Sequence, residues 1–250
     1  FRIQPGETIA PVGPTRAMVS PGWIRKLISA RTGLSGSSVL VNSIIDKYPE
    51  DTFITEERTV NSDFGDKCWI IDPIDGTLNF IYEQKNYAIS VAYYGNKEPA
   101  FGIVYDVFED NLYLGIKNKG SYVNGKKVNR PPFNTLSTGI VDVNLKNMGL
   151  IKELINLDME EVCKAALNFR HLGSAAIRIC DIALNKAHVY ISPNLAIWDY
   201  AAANIFLKEC GGDYWILKTD NKKSPDLNSL VIAAQNKDLL NEVINYSSIC

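Results

Sequence analysis

One short segment, "WIIDPIDGTLNF" at residues 69–80, constrains this chain more than any other. Its apolar start is typical of a buried strand, and that strand leads directly into Asp72. Because Pro73 has no N–H group, the hydrogen-bond ladder is expected to end there. A second acid, Asp75, follows, and a glycine and a threonine come next. The segment therefore predicts two carboxylates at the end of a buried strand, ahead of a sharp turn.

The spacing of these two acids favours a cation site. If the chain coils after the strand, Asp72 and Asp75 lie on the same side, with their Cβ atoms about 5–6 Å apart. Two ionised carboxylates at that distance repel each other unless one is protonated or a cation bridges them. The carbonyl of Ile74 offers a third oxygen, and oxygen ligands suit Mg²⁺, Mn²⁺ or Ca²⁺. The structural alternative is an Asx-type turn in which both aspartates act as caps.

Gly76 and Thr77 extend this site. Backbone N–H groups that begin a turn or a helix form an anion site suited to phosphate. A cation site beside a phosphate site meets the physical requirement for metal-assisted phosphoester hydrolysis.

Two other acidic segments are candidates for the same site. Glu56-Glu57 ends the β-prone run "DTFITEE", a natural place for a carboxylate beside the end of a neighbouring strand. Asp199 precedes the apolar stretch "YAAANIFL". It either joins the other acids or serves as an ordinary helix N-cap.

The pattern of the whole chain predicts a layered α/β fold. Residues 87–130 alternate as an antiparallel meander, and "YVNGKKV" carries an Asn-Gly hairpin signal. Helices and strands alternate in the second half, which favours an α/β arrangement. A soft boundary near 133–139 predicts two subdomains. Residues 1–138 would carry the meander and the metal-site acids, and residues 139–250 would complete the active site.

The N-terminal region is rich in proline and contains a Gly/Ser-rich segment. Four prolines in the first 21 residues predict an extended arm. A short helix is expected over "GWIRKLISA", a Gly/Ser-rich loop over "RTGLSGSSVL", and the end of a helix over "VNSIIDKY", before Pro49.

The composition of the chain argues against a nucleic-acid-binding, membrane or secreted protein. The net charge of −2 predicts no nucleic-acid partner, because binding a polyanion requires a basic patch. No apolar run reaches the roughly 18 residues that span a bilayer, so no membrane partner is expected. The first residues show no apolar core of a secretory signal, and the five cysteines are scattered. These features predict a cytoplasmic protein.

Several segments together resemble the inositol monophosphatase family of Mg²⁺-dependent, lithium-sensitive phosphatases. They are "EE" at 56–57, "WIIDPIDGTLNF", "GSAA" and "WDYAAANIFLKECGG", and the resemblance covers roughly residues 44–250. It implies an αβαβα sandwich of the inositol monophosphatase and fructose-1,6-bisphosphatase type. It also implies a homodimer, a small phosphorylated metabolite as ligand, and two or three Mg²⁺ ions per subunit.

The resemblance assigns roles residue by residue. Glu56, Asp72 and the carbonyl of Ile74 would hold the first metal, and Asp72, Asp75 and Asp199 the second. Glu56 and Thr77 would position and activate the attacking water, so that with Asp75 they form the catalytic set. The N–H groups of Gly76 and Thr77 would bind the phosphate. The implied substrate-binding residues are Asp75, Gly76, Thr77, Arg170, Gly173, Ser174, Ala175 and Ser192.

Two departures from the family pattern stand out. "RTGLSGSSVLVNSIID" lacks the lysine loop and the D-L-V-T-x-x-D segment that usually precede the Glu-Glu pair. Ser192 stands seven residues before Asp199, where inositol-specific members carry a glutamate.

The expected function is therefore a Mg²⁺-dependent phosphomonoesterase that acts on a small phosphorylated polyol or sugar through metal-activated water. Inositol-1-phosphate is the first expectation for the substrate. Fructose-1,6-bisphosphate, 3'-phosphoadenosine 5'-phosphate and NADP remain alternatives within the family. A catalytically impaired regulatory or binding homologue is the alternative from another class.

Overall fold

The computed structural model describes residues 41–56, 64–129, 132, 134–219 and 229–247. The predicted proline-rich arm, the helix over "GWIRKLISA" and the Gly/Ser-rich loop lie outside these residues. Residues 41–45 are helical, which confirms the helix end predicted before Pro49. The chain divides between Pro49 and Glu50, and both β-sheets belong to the unit that begins at Glu50.

The first sheet has seven strands in the order β1-β2-β3-β4-β5-β6-β7. Strand β1 is parallel to β2, and all later neighbours pair antiparallel, which confirms the predicted meander. The strands are β1 Thr52–Thr55, β2 Lys67–Asp75, β3 Ala88–Gly95, β4 Glu98–Asp106, β5 Asn111–Ile116, β6 Gly120–Val123 and β7 Lys126–Lys127.

The predicted Asn-Gly hairpin joins β6 to β7. Asn124 has φ 50° and Gly125 has φ 80°, so both central residues are left-handed. That backbone twist matches the right-handed twist of the flanking strands, which is why asparagine and glycine occupy such turns.

The second sheet has five strands in the order β11-β12-β10-β8-β9. Strand β8 pairs parallel with both β9 and β10, whereas β12 pairs antiparallel with β10 and β11. The strands are β8 Ile140–Val143, β9 Asn168–Arg170, β10 Val189–Leu195, β11 Asp213–Lys218 and β12 Ser229–Ala234.

Six helices accompany these strands in the described residues from 50 onward. They are α1 Thr77–Tyr82, α2 Met148–Ile155, α3 Met159–Ala165, α4 Ala175–Ala183, α5 Ile197–Glu209 and α6 Lys237–Ile244. Helix α3 was not predicted from the sequence, although its N-cap Asp158 accepts hydrogen bonds from the N–H groups of Glu160 and Glu161. Among the described helices, none combines the length and the apolar character that crossing a bilayer requires.

Helices α4 and α5 form the layer between the two sheets. Every residue of α4 is buried, and α5 is buried from Tyr200 to Leu207. One hydrophobic core joins both helices to Ile70 and Val104 of the first sheet and to Val231 of the second. A second core packs the other face of the second sheet against α2, α3 and α6. The described residues thus form a layered α/β fold, as predicted.

Two glycines allow α5 to lie directly on the first sheet. A Cβ at Gly102 would lie 2.3 Å from the carbonyl oxygen of Ala202, and one at Gly115 would lie 2.5 Å from the Cα of Phe206. Any side chain at these positions would push the helix away from the strands. This close approach sets the height of α5 above the sheet.

The predicted boundary between residues 138 and 139 lies between the last strand of the first sheet and the first strand of the second. A division of the molecule into two subdomains at that point stays a prediction.

The substitution Gly102→Ala should reduce the free energy of unfolding by about 1–3 kcal/mol, because its methyl group overlaps the backbone of α5. Urea denaturation measures the change. The control is Gly149→Ala in the first turn of α2, where a Cβ would meet nothing within 4 Å. Equal stability of the Gly102→Ala protein and the unaltered protein would contradict the packing described here.

Candidate metal centre

A β-bulge brings the first two acids together. Asp72 pairs with Ser90, and Asp75 pairs with Ala88. Two residues of β2 therefore lie between these pairs, whereas only one residue of β3 does. The prediction that Pro73 ends the ladder is therefore wrong, because the bulge absorbs the proline and β2 continues to Asp75. One extra residue reverses the alternation of side chains. Residues three apart consequently reach the same side without coiling.

Hydrogen bonds fix both carboxylates in place. Oδ1 of Asp72 accepts from the N–H of Ile74 at 2.9 Å, so the Asx-type turn weighed for this segment is present and coexists with the acidic cluster. Asp75 accepts from the Ser174 hydroxyl and from the N–H groups of Ala175 at 3.2 Å and Ala176 at 2.9 Å. The first turn of α4 thus holds Asp75, and its exposed N–H dipoles favour a negative charge there.

Asp199 reaches the same place from the start of α5. The N-cap is Ala196, whose N–H donates to Oδ2 of Asp199 at 2.8 Å. Asp199 therefore occupies the third position of the helix rather than the N-cap considered from the sequence. The Ser90 hydroxyl donates to the carbonyl of Trp198 at 3.2 Å, which ties the start of α5 to β3 beside Asp72.

The three aspartates form one acidic cluster. Each of Asp72, Asp75 and Asp199 offers a carboxylate oxygen, and these oxygens all lie within 4.8 Å of one another. Asp72 and Asp75 are buried, and Asp199 is half-buried. The structure thus brings together acids from β2 and α5 that the sequence predicted to share a site.

Burial and mutual repulsion raise the pKa of each acid. Burial, followed by the charges of Asp75, Glu56 and Asp199, raises the pKa of Asp72 well above its ordinary range. Burial raises the pKa of Asp75 to about 6, even though its hydrogen bonds with Ser174 and the α4 backbone lower it. Burial and the charge of Asp75 raise the pKa of Asp199 to about 8.

Glu56 lies at the same end of the first sheet. It follows β1, in which Thr55 is in register with Ile71, and its N–H donates to the carbonyl of Ile71 at 3.4 Å. This placement sets Glu56 beside Asp72. Its side chain is exposed, and its charge contributes to the raised pKa of all three aspartates. The neighbouring Glu57 lies outside the described residues.

The predicted turn into a helix is confirmed at Gly76 and Thr77. Gly76 has φ 87° and caps α1, whose start has no side-chain cap. A Cβ at Gly76 would lie 3.0 Å from the carbonyl oxygen of Asn86 and 3.1 Å from the Cβ of Ser174. The Thr77 hydroxyl donates to the carbonyl of Ile74 at 3.2 Å. The turn at Gly76 and Thr77, which is predicted to bind phosphate, therefore contacts the carbonyl of Ile74, which is predicted to bind a metal ion.

The predicted substrate residues occupy varied positions. Ser174 and Ala175 are buried at the start of α4, and Ser192 is buried on β10. Arg170 is exposed on β9, at the edge of the second sheet. The support that Ser174 gives to Asp75 was not predicted, although a serine ahead of an apolar helical run is a common N-cap signal. The substrate roles of these residues stay predictions.

The donor set suits a hard divalent cation. It contains carboxylate and carbonyl oxygens, the ligands that Mg²⁺, Mn²⁺ and Ca²⁺ prefer. Among the described residues, no positively charged side chain is one of the main influences on the pKa values of the three aspartates. A divalent cation would supply the missing positive charge, so the residues present fit a bound metal.

Comparison with known proteins matches the chain to one family. The family model described as the inositol monophosphatase family matches residues 35–249. Inositol monophosphatase 1 of Rattus norvegicus is 35% identical over 181 residues, which cover 70% of this chain and 65% of the rat protein. The matched part of the chain therefore spans just under two thirds of the rat protein.

Solved structures share the fold. A crystal structure of SaIMPase-II bound to inositol monophosphate superposes with a TM-score of 0.75 at 27% identity, covering 90% of this chain and 91% of that one. An IMPase/NADP phosphatase complexed with Mg²⁺ and phosphate superposes with a TM-score of 0.73 at 26% identity, covering 86% and 80%.

The metal-free protein should lose stability as pH rises through neutrality. Asp75 and Asp199 have folded-state pKa values of about 6 and about 8, above their ordinary value of 3.8. Their contribution to the free energy of unfolding is thus fully present below about pH 4 and is lost as pH rises through about 6 and then 8. Saturating Mg²⁺ should therefore raise Tm more at about pH 8 than at about pH 5.

Thermal unfolding with Mg²⁺ or with a chelator measures this difference. The variant Asp199→Asn is the control, because it removes the acid whose pKa is raised to about 8. The difference between the Tm increases at the two pH values should be smaller in this variant. An equal Tm increase at both pH values in the unaltered protein would contradict the expectation.

Proposed function

The chain belongs to the inositol monophosphatase family, and we propose that it is a Mg²⁺-dependent phosphomonoesterase acting on a small phosphorylated polyol or sugar. One observation carries this proposal: three acids from β2 and α5 converge beside the turn that begins α1. A cluster of negative charge next to a set of backbone N–H groups suits the binding of a metal–phosphate pair.

The metal ligands follow from this arrangement. Glu56, Asp72 and the carbonyl of Ile74 would hold one Mg²⁺, and Asp72, Asp75 and Asp199 would hold a second. Asp72 would contribute to both sites, since it is the buried acid whose pKa is raised by the charges of Asp75, Glu56 and Asp199. When bound, such ions lower the pKa of water and neutralise charge on the phosphoryl oxygens.

Other groups of the chain would bind the phosphate and position the attacking water. The N–H groups of Gly76 and Thr77 bind and orient the phosphate, because they open a helix without a competing side-chain cap. Glu56 is exposed beside Asp72, where it can accept a proton from the attacking water. The Thr77 hydroxyl, already bonded to the carbonyl of Ile74, holds that water in line. This mechanism requires no cysteine or histidine.

Inositol-1-phosphate is the first substrate we propose. SaIMPase-II, which shares the fold, has been crystallised with inositol monophosphate, and another neighbour is an IMPase/NADP phosphatase. Ser192 offers a hydroxyl where a glutamate would bind sugar hydroxyls more strongly. Fructose-1,6-bisphosphate, 3'-phosphoadenosine 5'-phosphate and NADP are therefore the substrates to compare. We also propose that the protein is a cytoplasmic homodimer. The scattered cysteines favour a reducing compartment, and the family resemblance implies the dimer.

Phosphate release from these four compounds tests the proposal. We expect release from at least one of them with Mg²⁺ and none with a chelator, because the acidic cluster cannot bind a phosphate anion without a cation. The compound with the highest kcat/KM identifies the substrate class. Absence of release from all four at saturating Mg²⁺ would contradict the proposal.

The unusual sequence of residues 31–46 favours a second candidate, a homologue that keeps the fold without turnover. Calorimetric titration with Mg²⁺ and inorganic phosphate separates the two. An active enzyme should bind phosphate in a metal-dependent way, whereas a homologue with a lost site should show little such binding.

The substitution Asp75→Asn should reduce kcat by more than about a hundredfold at saturating Mg²⁺, because it removes a negative ligand. The fold should change little, since the asparagine also relieves repulsion within the cluster. Steady-state kinetics and thermal unfolding without metal measure the two effects. The control is Asp238→Asn on the exposed side of α6. Near-normal turnover of Asp75→Asn would show that Asp75 is not a ligand.

A further inference from the structure

Asn79 joins two neighbouring segments of the chain to a third that is distant in sequence. It lies half-buried in α1, and its Nδ2 donates to the carbonyl of Asn86 at 2.8 Å and to the carbonyl of Leu172 at 2.9 Å. The amide nitrogen carries two hydrogens, so both are used. The second bond spans 93 residues of sequence. One side chain therefore ties α1 to the turn before β3 and to the segment before α4.

The segment before α4 is shaped to receive this side chain. Gly173 has φ 85°, and a Cβ there would lie 2.3 Å from Nδ2 of Asn79. Only glycine meets both conditions, because other residues rarely adopt that backbone conformation and would also displace the amide. The turn before β3 lies close to the start of α1, since the carbonyl oxygen of Asn86 is 3.0 Å from where a Cβ of Gly76 would be.

Each of the three segments carries part of the site. The first turn of α1 contains the proposed phosphate-binding N–H groups. The segment after Leu172 leads into Ser174 and the backbone N–H groups that hold Asp75. The turn at Asn86 leads into β3, whose Ser90 ties the start of α5 beside Asp72. A shift at their junction would move the phosphate turn relative to the carboxylates.

We propose that Asn79 is a positioning residue that fixes the phosphate-binding turn against the segment that holds Asp75 and lines the substrate pocket. This inference rests on the proposed function, because the joined segments are those assigned to phosphate, metal and substrate. Both amide hydrogens of Asn79 bind backbone carbonyls, so Asn79 would act on the site through the segments that it joins. Its effect is geometric, and small displacements of binding groups lower rates strongly.

Two variants separate hydrogen bonding from packing. Asn79→Ala removes the side chain. Asn79→Asp keeps its size but presents a carboxylate to two carbonyl oxygens, with no hydrogen to donate. Both should lower kcat/KM by roughly 10- to 100-fold. The matched control is Asn241→Ala on the exposed surface of α6, which should leave kcat/KM unchanged. Wild-type kinetics in Asn79→Asp would overturn the proposal.

Amide hydrogen exchange provides a readout that needs no substrate. In both variants the N–H groups of Ala175 and Ala176 should exchange about tenfold faster, because the segment before them is no longer tethered. Exchange in β12 should stay unchanged. Normal exchange at Ala175 and Ala176, or equal acceleration in β12, would overturn the positioning role. A wild-type protein that hydrolyses no phosphomonoester would refute the proposed function, while the exchange result would still decide whether Asn79 fixes this segment.

A double-mutant cycle tests the contact directly. Gly173→Ala should impair kcat/KM in the unaltered protein, because its methyl group displaces the Asn79 amide. The same substitution should cost less in Asn79→Ala, where that amide is gone. Strictly additive effects would contradict a direct contact between the two positions.

Discussion

Repulsion among three clustered carboxylates, two of them buried and one half-buried, is the interaction on which the rest of this structure depends. Asp72, Asp75 and Asp199 offer oxygens within 4.8 Å of one another, and burial raises the pKa of each. The protein offsets part of that repulsion with backbone N–H groups. Ile74, Ala175, Ala176 and Ala196 each donate to one of the acids. These dipoles offset only part of the charge, so a divalent cation would complete the site.

The packing of helices α4 and α5 in the layered fold brings these acids together. Helix α5 can place Asp199 beside β2 because Gly102 and Gly115 let its backbone touch the first sheet. Helix α4 supplies the N–H groups for Asp75 because its buried faces pack against both sheets. The same two helices therefore form the central hydrophobic layer and hold two acids of the candidate metal centre, so packing and the proposed function depend on the same contacts.

Those features of the fold and of the site that depend on local sequence patterns could be predicted from the sequence. The hairpin at Asn124-Gly125 and the capping of α1 by Gly76 follow from backbone preferences, and the adjacency of Glu56 to Asp72 follows from two neighbouring strand ends. The bulge at Pro73 could not be predicted, because pairing with β3 outweighs the missing N–H group. The bonds from Ser174 to Asp75 and from Asn79 to Leu172 span 99 and 93 residues, and only tertiary packing creates them.

The most direct test of the account is a crystal structure of the protein with bound Mn²⁺, which is located by its anomalous scattering. The account predicts an ion within about 2–2.5 Å of carboxylate oxygens from Asp72, Asp75 and Asp199. Mn²⁺ bound elsewhere, with these three carboxylates free of metal, would contradict it.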